Sequence, residues 1–465
     1  MQRNIPRIVI AATQSGSGKT TIVTGILAAL KNRGLIVQSY KIGPDYIDPG
    51  YHSLASSRPA HNLDSWLLPE DRLKEIFVET SQNADIAIIE GVMGLYDGGK
   101  NGISSTAQIA KLLDAPVVLV IDARSMGASA AAIALGFREY DKDLNFAGVI
   151  LNRIGSENHK AMIEDALNKL DIKCFGAIKR ESNLTTPERH LGLLPTTENE
   201  TSHLIDNIRH AINEQVNIDN LIEVSNDRIF SSQPTRPPML LEKIYPSSEN
   251  FFVNIAVAKD EAFNFYYLES LKVIKNFGAE IVNFSPLHDK ALPDVDGLII
   301  GGGFPEMFAA QLENNLQMLE SIKAAATNGM PIFAECGGYM YLMNELIDFD
   351  GNSHKMVGVI DNSAKMNDKL QMVGYVEASL TSDCIIGKAG DKLHAHEFHF
   401  SNELNNNGQS AFNCVRIRNN KNYCAGFVSD NIVASYLHIH FAGCIEAAKN
   451  FVENCKNYHR RNHNG

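Results

Sequence analysis

The sequence predicts two α/β domains in tandem, each built on a mainly parallel sheet with helices on its faces. Three observations predict this. Apolar runs of strand length alternate with helical patterns in both halves of the chain, as parallel sheets require. Between the halves, residues 225–250 are rich in proline, serine and arginine and lose all periodicity, which reads as a linker. Each half also contains one junction where an apolar run breaks on glycines and turns helical, and each junction carries a reactive side chain.

In the first half, strands are expected at 7–12, 36–40, 86–89, 117–121 and 147–151, with helices at 20–33, 106–113 and 128–140. In the second half, strands are expected at 254–258, 280–284, 297–300 and 331–334. Helices there are expected at 263–277, 315–328 and 339–346. The expected organisation is a first domain over 1–195, a connecting region and linker over 196–250, a second domain over 251–448 and a polar tail over 449–465, whose last residues, 456–465, are expected to fray.

The first junction is Thr13-Gln14-Ser15-Gly16-Ser17-Gly18-Lys19-Thr20, a phosphate-loop pattern with Thr13 in place of the usual first glycine. Glycines let backbone N–H groups turn inward around an anion, and the following helix adds positive partial charge. Thr13, Gly16, Ser17, Gly18, Lys19 and Thr20 are therefore the candidate nucleotide-binding residues. Lys19 would reach the β- and γ-phosphates, and the Thr20 hydroxyl would ligate Mg²⁺. Asp45, Tyr46 and Asp48 lie in a Gly/Pro loop after the second strand. Glu90 ends the third strand, and Asp97 lies in the glycine-rich loop beyond it. Carboxylates at strand ends beside a phosphate loop are the usual magnesium arrangement, so Asp48 and Glu90 join Thr20 as candidate ligands. Asn152, at the end of a later strand, either contacts the nucleotide or caps the strand.

The second junction is Ile332-Phe333-Ala334-Glu335-Cys336-Gly337-Gly338. A nucleophile on a sharp strand-to-helix turn is expected to be exposed, with its thiol pKa lowered by the helix. The Gly337 N–H would be one oxyanion donor, and the loop containing Gly302 and Gly303 would supply another. The general base should be a histidine distant in sequence. His438 and His440 are expected on one face of an extended chain, and pattern alone does not choose between them. A further cluster, His394-Ala395-His396-Glu397-Phe398-His399, lacks the helical His-Glu-x-x-His spacing of a zinc protease and reads better as a strand.

Composition sets outer bounds. Hydrophobic residues make up 44% and charged residues 21%, an ordinary globular balance. A net charge of −12 disfavours a nucleic-acid partner. No signal-peptide pattern or apolar run of membrane-spanning length is visible, so a cytoplasmic protein without membrane partners is expected. The seven cysteines are dispersed with no Cys-x-x-Cys pair, which argues against a disulfide framework.

Several stretches resemble the cobyrinate a,c-diamide synthase family of cobalamin biosynthesis. They include TQSGSGKTT, YKIGPDYIDPGYH, IIEGVMGLYDG, GVILNR, GGGFPE, IFAECGGYMYL, HEFHFS and SYLHIHF. The resemblance implies a dethiobiotin-synthetase-like ATP domain followed by a class I glutamine amidotransferase domain. It implies amidation of the a- and c-side chains of a corrin with ATP, Mg²⁺ and glutamine, through an acyl phosphate near Asp45, Tyr46 and Asp97. It matches Cys336 to the nucleophile and His438 to the histidine that activates it. Where many class I relatives carry a glutamate two residues after that histidine, this sequence has His440. A homodimer is one assembly open to such an enzyme. The same chemistry on nickel-sirohydrochlorin or hydrogenobyrinate is the nearest alternative. A phosphate-loop switch ATPase would explain the first half but leave Cys336 and His438 unexplained.

Overall fold

The computed structural model describes residues 5–180, 198–227, 252–405 and 408–463, and the chain forms two compact units, Met1–Thr235 and Arg236–Gly465. The expected linker from 228 onward lies outside the described residues.

In the first unit, the strands are β1 (Arg7–Ala12), β2 (Val37–Ile42), β3 (His61–Leu63), β4 (Ile86–Glu90), β5 (Val117–Asp122), β6 (Phe146–Ile154) and β7 (Cys174–Lys179). They form one sheet in the order β3-β2-β4-β1-β5-β6-β7, parallel throughout. β1, β2, β4 and β5 are buried along their whole length, which is why β1, β4 and β5 read as near-continuous apolar runs rather than alternating ones. Chain order reverses at β1, since β4 adds on one side of it and β5 on the other. Ligands of such sheets bind beyond the strand ends at that point.

The helices are α1 (Lys19–Asn32), α2 (Asp48–Ser56), α3 (Glu70–Thr80), α4 (Thr106–Leu112), α5 (Ser129–Tyr140), α6 (Glu157–Asn168), α7 (Glu198–Gln215) and α8 (Ile218–Ser225). The last two fall in the stretch read as connecting region. Their apolar stripe of Ile205, Ile208, Ile212, Leu221 and Val224 is buried in one core with Ile22, Ile26 and Leu27 of α1. That stripe repeats at helical spacing and makes the segment part of the first unit's core, not a tether.

The second unit has a six-stranded sheet in the order β10-β8-β11-β13-β23-β22, parallel except at its last pair. These strands are β8 (Val253–Ala258), β10 (Ala279–Phe284), β11 (Gly297–Ile300), β13 (Ile332–Glu335), β22 (Phe427–Val428) and β23 (Ile432–Ser435). Its helices are α9 (Leu268–Asn276), α10 (Ala309–Asn314), α11 (Leu316–Thr327), α12 (Gly337–Leu342) and α13 (Ile445–His463).

Three smaller sheets complete the unit. β9 (Phe263–Phe265) pairs with β12 (Gly302–Gly303). β14 (Met343–Ile347), β15 (Ser353–Lys355), β16 (Ile360–Met366) and β19 (Ser401–Glu403) form the second. The third contains β17 (Met372–Leu380), β18 (Lys392–His399), β20 (Phe412–Arg416), β21 (Asn422–Ala425) and β24 (His438–Ile439).

Three expectations are corrected here. The helix expected over 263–277 begins only at Leu268, because Phe263–Phe265 forms a strand whose Phe263 is fully buried. The helix expected over 339–346 ends at Leu342, where the chain enters β14 and pairs with β15 and β16. The polar tail from 449, expected to fray from 456, is helical to His463. Ala448, Phe451, Val452 and Cys455 of α13 are fully buried, an apolar stripe at helical spacing hidden among polar residues.

Candidate active sites

The phosphate loop of the first unit leaves β1 and enters α1 through Gly16 and Gly18, whose φ values are 75° and 86°. A side chain on Gly18 would collide with Asn152 Nδ2. Thr13 needs no such freedom, since its N–H continues the β1 ladder by donating to the Val120 carbonyl at 3.2 Å. That is why the missing first glycine does not disturb the loop. Asn152 Nδ2 donates to the Ser17 carbonyl at 2.9 Å, and Arg153 Nη1 donates to the Gly16 carbonyl at 2.9 Å. Both residues therefore brace the loop from the end of β6. A cavity of about 600 Å³ opens nearby, lined by Gln14, Asp122, Arg124, Met126, Arg153 and His159 among others. Asp122 accepts hydrogen bonds from Arg124 and Arg153 there.

Thr20, Asp48 and Glu90 come together. The Thr20 hydroxyl lies 2.8 Å from Glu90 Oε1 and 3.2 Å from Asp48 Oδ2. Lys41, which the sequence reading missed, donates to the same two oxygens, at 2.8 Å and 2.5 Å. His52 Nε2 lies 2.7 Å from Glu90 Oε2. Burial opposes a charge on Glu90, but Lys41 and His52 outweigh it and hold the carboxyl below its usual range. Burial and the Glu90 charge push Asp48 upward instead. Burial likewise opposes the Lys41 charge, but Glu90, Asp48 and Asp45 keep it protonated.

Lys19 is buried and donates to the Met93 carbonyl at 2.7 Å. Burial lowers its pKa to about 8 against the attraction of Glu90. Asp45 accepts the N–H groups of Ile47 and Asp48 and stands 3.8 Å from Lys41, while Tyr46 is half-buried beside it. Asp97 closes its own turn by accepting the Gly94 N–H at 3.1 Å.

In the second unit, β13 runs into Cys336, which adopts φ 48° and ψ −102°. A non-glycine residue held there costs on the order of 1–3 kcal/mol, strain that clusters at functional turns. The geometry is imposed by close packing: a side chain on Gly338 would collide with the Ile300 carbonyl. A side chain on Gly337 would come 3.1 Å from the Gly303 nitrogen, and one on Gly302 would come 2.7 Å from His438 Cε1. Gly302 and Gly303 thus stand between His438 and the residue after the thiol.

Two expectations about the thiol are corrected. Cys336 is 7% exposed rather than open, and its pKa is raised, first by burial and then by Glu306, rather than lowered. The short helix α12 cannot outweigh that desolvation.

His438 and His440 do not share a face, because the extended chain ends at Ile439. His438 is directly opposite His396 in the β18–β24 pair. His440 instead stacks on Tyr267 at 4.5 Å and lies 3.4 Å from the Ser270 hydroxyl. Burial lowers the pKa of His438 to about 3 and that of His440 to about 4. The remaining cluster is strand β18, as expected, with His399 stacked on Tyr436 and Glu397 accepting from the Tyr423 hydroxyl. Glu335, also missed, accepts the Ile439 N–H at 2.7 Å and so ties the end of β13 to β24. Its signal was a carboxyl between an apolar strand and the cysteine.

A phosphate-loop domain joined to a thiol-and-imidazole domain on a class I-type sheet defines a nucleotide-dependent glutamine amidotransferase. Family comparison agrees for both units. Residues 8–194 match the CobQ/CobB/MinD/ParA nucleotide binding domain, and residues 254–444 match the CobB/CobQ-like glutamine amidotransferase domain. The cobyrinate a,c-diamide synthase of Dehalococcoides mccartyi (strain CBDB1) is 44% identical over 98% of this chain and 99% of its own length. That of Caldanaerobacter subterraneus subsp. tengcongensis is 42% identical over 97% and 99%. That of Methanobrevibacter smithii is 42% identical over 94% and 96%. The chain belongs to the cobyrinate a,c-diamide synthase family.

Proposed function

We propose that this protein uses ATP and glutamine to convert the a- and c-side-chain carboxylates of cobyrinate into carboxamides. One observation carries the reading: a single chain holds both the Thr20–Asp48–Glu90 cluster beside a phosphate loop and a strained cysteine whose next residue, Gly337, packs near Gly303, with Gly302 against His438.

In the glutaminase half, His438 is neutral because it is buried, and it takes the Cys336 proton as the sulfur attacks the glutamine carboxamide. N–H groups of Gly337 and of the Gly302–Gly303 strand stabilise the oxyanion. His438 returns the proton to the leaving nitrogen and ammonia departs. Water then cleaves the thioester to release glutamate.

In the synthetase half, Lys19 and the loop N–H groups of residues 13–20 hold the nucleotide phosphates, and Asn152 and Arg153 keep the loop in shape. A substrate carboxylate near Asp45, Tyr46 and Asp97 attacks the γ-phosphorus, giving an acyl phosphate and ADP. Ammonia adds to that carbonyl and phosphate leaves, which a free carboxylate's oxide could not do. The donors Thr20, Asp48 and Glu90 are hard oxygens that suit Mg²⁺, with Lys41 yielding the oxygens it shares. Bound there, the ion would supply charge neutralisation on the phosphates.

The domain limits 1–195 and 251–448 are extended, with α7 and α8 added to the first catalytic module and the rest of α13 to the second. A cytoplasmic site of action and a homodimer belong to the same reading. No helix among the described residues is long and apolar enough to cross a membrane.

The test is a mass-spectrometric assay with ATP, Mg²⁺ and glutamine against cobyrinate, hydrogenobyrinate and nickel-sirohydrochlorin separately. Two successive acid-to-amide changes on cobyrinate are expected. Conversion of another tetrapyrrole with none of cobyrinate would overturn the substrate assignment.

A further inference from the structure

The turn that follows the Gly302–Gly303 strand carries a buried carboxylate. Glu306 lies in a 3₁₀ turn, Pro305–Phe308, and is 8% exposed. Its Oε2 is buried and has no hydrogen-bond partner among the described residues, and no basic side chain pairs with it there. Its carboxyl group takes a hydrogen bond only from its own backbone N–H. Burying a carboxylate without a counter-charge costs several kcal/mol, so a fold that does so needs an offsetting use for it. Glu335, the neighbouring buried acid, is different, since it is engaged by the Ile439 N–H.

The position of Glu306 points to that use. The residue after the nucleophile packs on the loop that presents it: a side chain on Gly337 would sit 2.9 Å from Pro305 Cδ. Of the charged groups that act on the Cys336 thiol, Glu306 is the strongest. The carboxylate therefore lies near the thiol, in the turn that directly follows the Gly302–Gly303 strand. The substrate of this thiol, on the reading above, is an amino acid whose cationic group is its α-ammonium.

We propose that Glu306 binds the α-ammonium group of glutamine and so selects an amino acid over a plain carboxamide. The bound ammonium satisfies the lone carboxylate, and the salt bridge fixes the carboxamide before Cys336. Burial alone pushes the Glu306 pKa to about 7, and an adjacent cation restores its charge. The proposal rests on the glutaminase role of Cys336 but assigns a residue which that role does not require.

The experiment uses the full-length protein and measures ammonia release from L-glutamine and from glutaramate, the same molecule without its amino group. Wild type should prefer glutamine by roughly 100-fold in kcat/KM, because a site built for a charged group rejects the analogue that lacks it. In Glu306→Gln that ratio should fall to within about threefold of one, mainly through a raised KM for glutamine. Because the variant removes a buried charge while keeping shape, its urea midpoint should equal or exceed that of wild type. A variant that keeps the wild-type preference, or loses both substrates equally, overturns the assignment, as does a lowered midpoint. A wild-type protein with no glutaminase activity would instead overturn the reading of Cys336, and this proposal with it.

Discussion

The Thr20 hydroxyl donates a hydrogen bond of 2.8 Å to Glu90 Oε1, joining the first residues of the phosphate-loop helix to the end of the neighbouring strand. The bond places a small hydroxyl and a fully buried carboxylate where the γ-phosphate end of a nucleotide would lie. Glu90→Gln should therefore reduce amidation by on the order of 100-fold with ammonium chloride as well as with glutamine. A variant that fails only with glutamine would detach Glu90 from the phosphoryl-transfer step.

Lys41 is the charge that lets Glu90 and Asp48 sit side by side. Lys41→Met leaves the fully buried Glu90 carboxylate and the partly buried Asp48 side by side without the amine they share, a loss of about 3–5 kcal/mol. Urea unfolding followed by fluorescence of Trp66, the chain's one tryptophan, should report it. An unchanged midpoint would mean that solvent or His52 carries the charge instead.

Two buried histidines and a partly buried one make the second unit sensitive to acid. His399, His438 and His440 have pKa values lowered by burial to about 4, 3 and 4. A lowered histidine binds its proton more weakly when folded than when unfolded, so stability falls as pH drops below the ordinary value near 6.5. Each should cost about 2 kcal/mol by pH 5. Urea titrations at pH 7.5 and pH 5 test this, and His440→Gln should remove roughly one third of the difference. An equal difference in wild type and variant would contradict the assignment for His440.

Helix α13 is a structural element of the second unit. Phe451 is fully buried on it, and Phe451→Ala should destabilise the protein by about 3–5 kcal/mol in urea titrations. An effect below about 1 kcal/mol would be the behaviour of a frayed tail.

Much of this was legible in sequence because the central strands of both sheets, such as β1, β4, β5, β11 and β13, are short, wholly buried and mostly apolar runs. The phosphate loop and Cys336 were legible because each occupies a glycine-marked break between a strand and a helix. What escaped was set by tertiary neighbours. Phe263–Phe265 is a strand only because it finds Gly302–Gly303, 37 or more residues away. Residues 198–225 and α13 are so polar that only the helical spacing of their apolar residues reveals a buried face. Lys41 and His52 are ordinary residues in sequence, and their role appears only when Glu90 is brought between them. The Cys336 pKa was misjudged because a helix terminus is visible in sequence and the extent of burial is not.

The division of labour between the two units is tested most directly by Cys336→Ser. Its amidation of cobyrinate should be measured by mass spectrometry with ATP and Mg²⁺, once with glutamine and once with ammonium chloride. The account predicts no product with glutamine and near wild-type product with ammonium chloride. Loss of product from both nitrogen sources in a folded variant, or retention of the glutamine-dependent reaction, would contradict it.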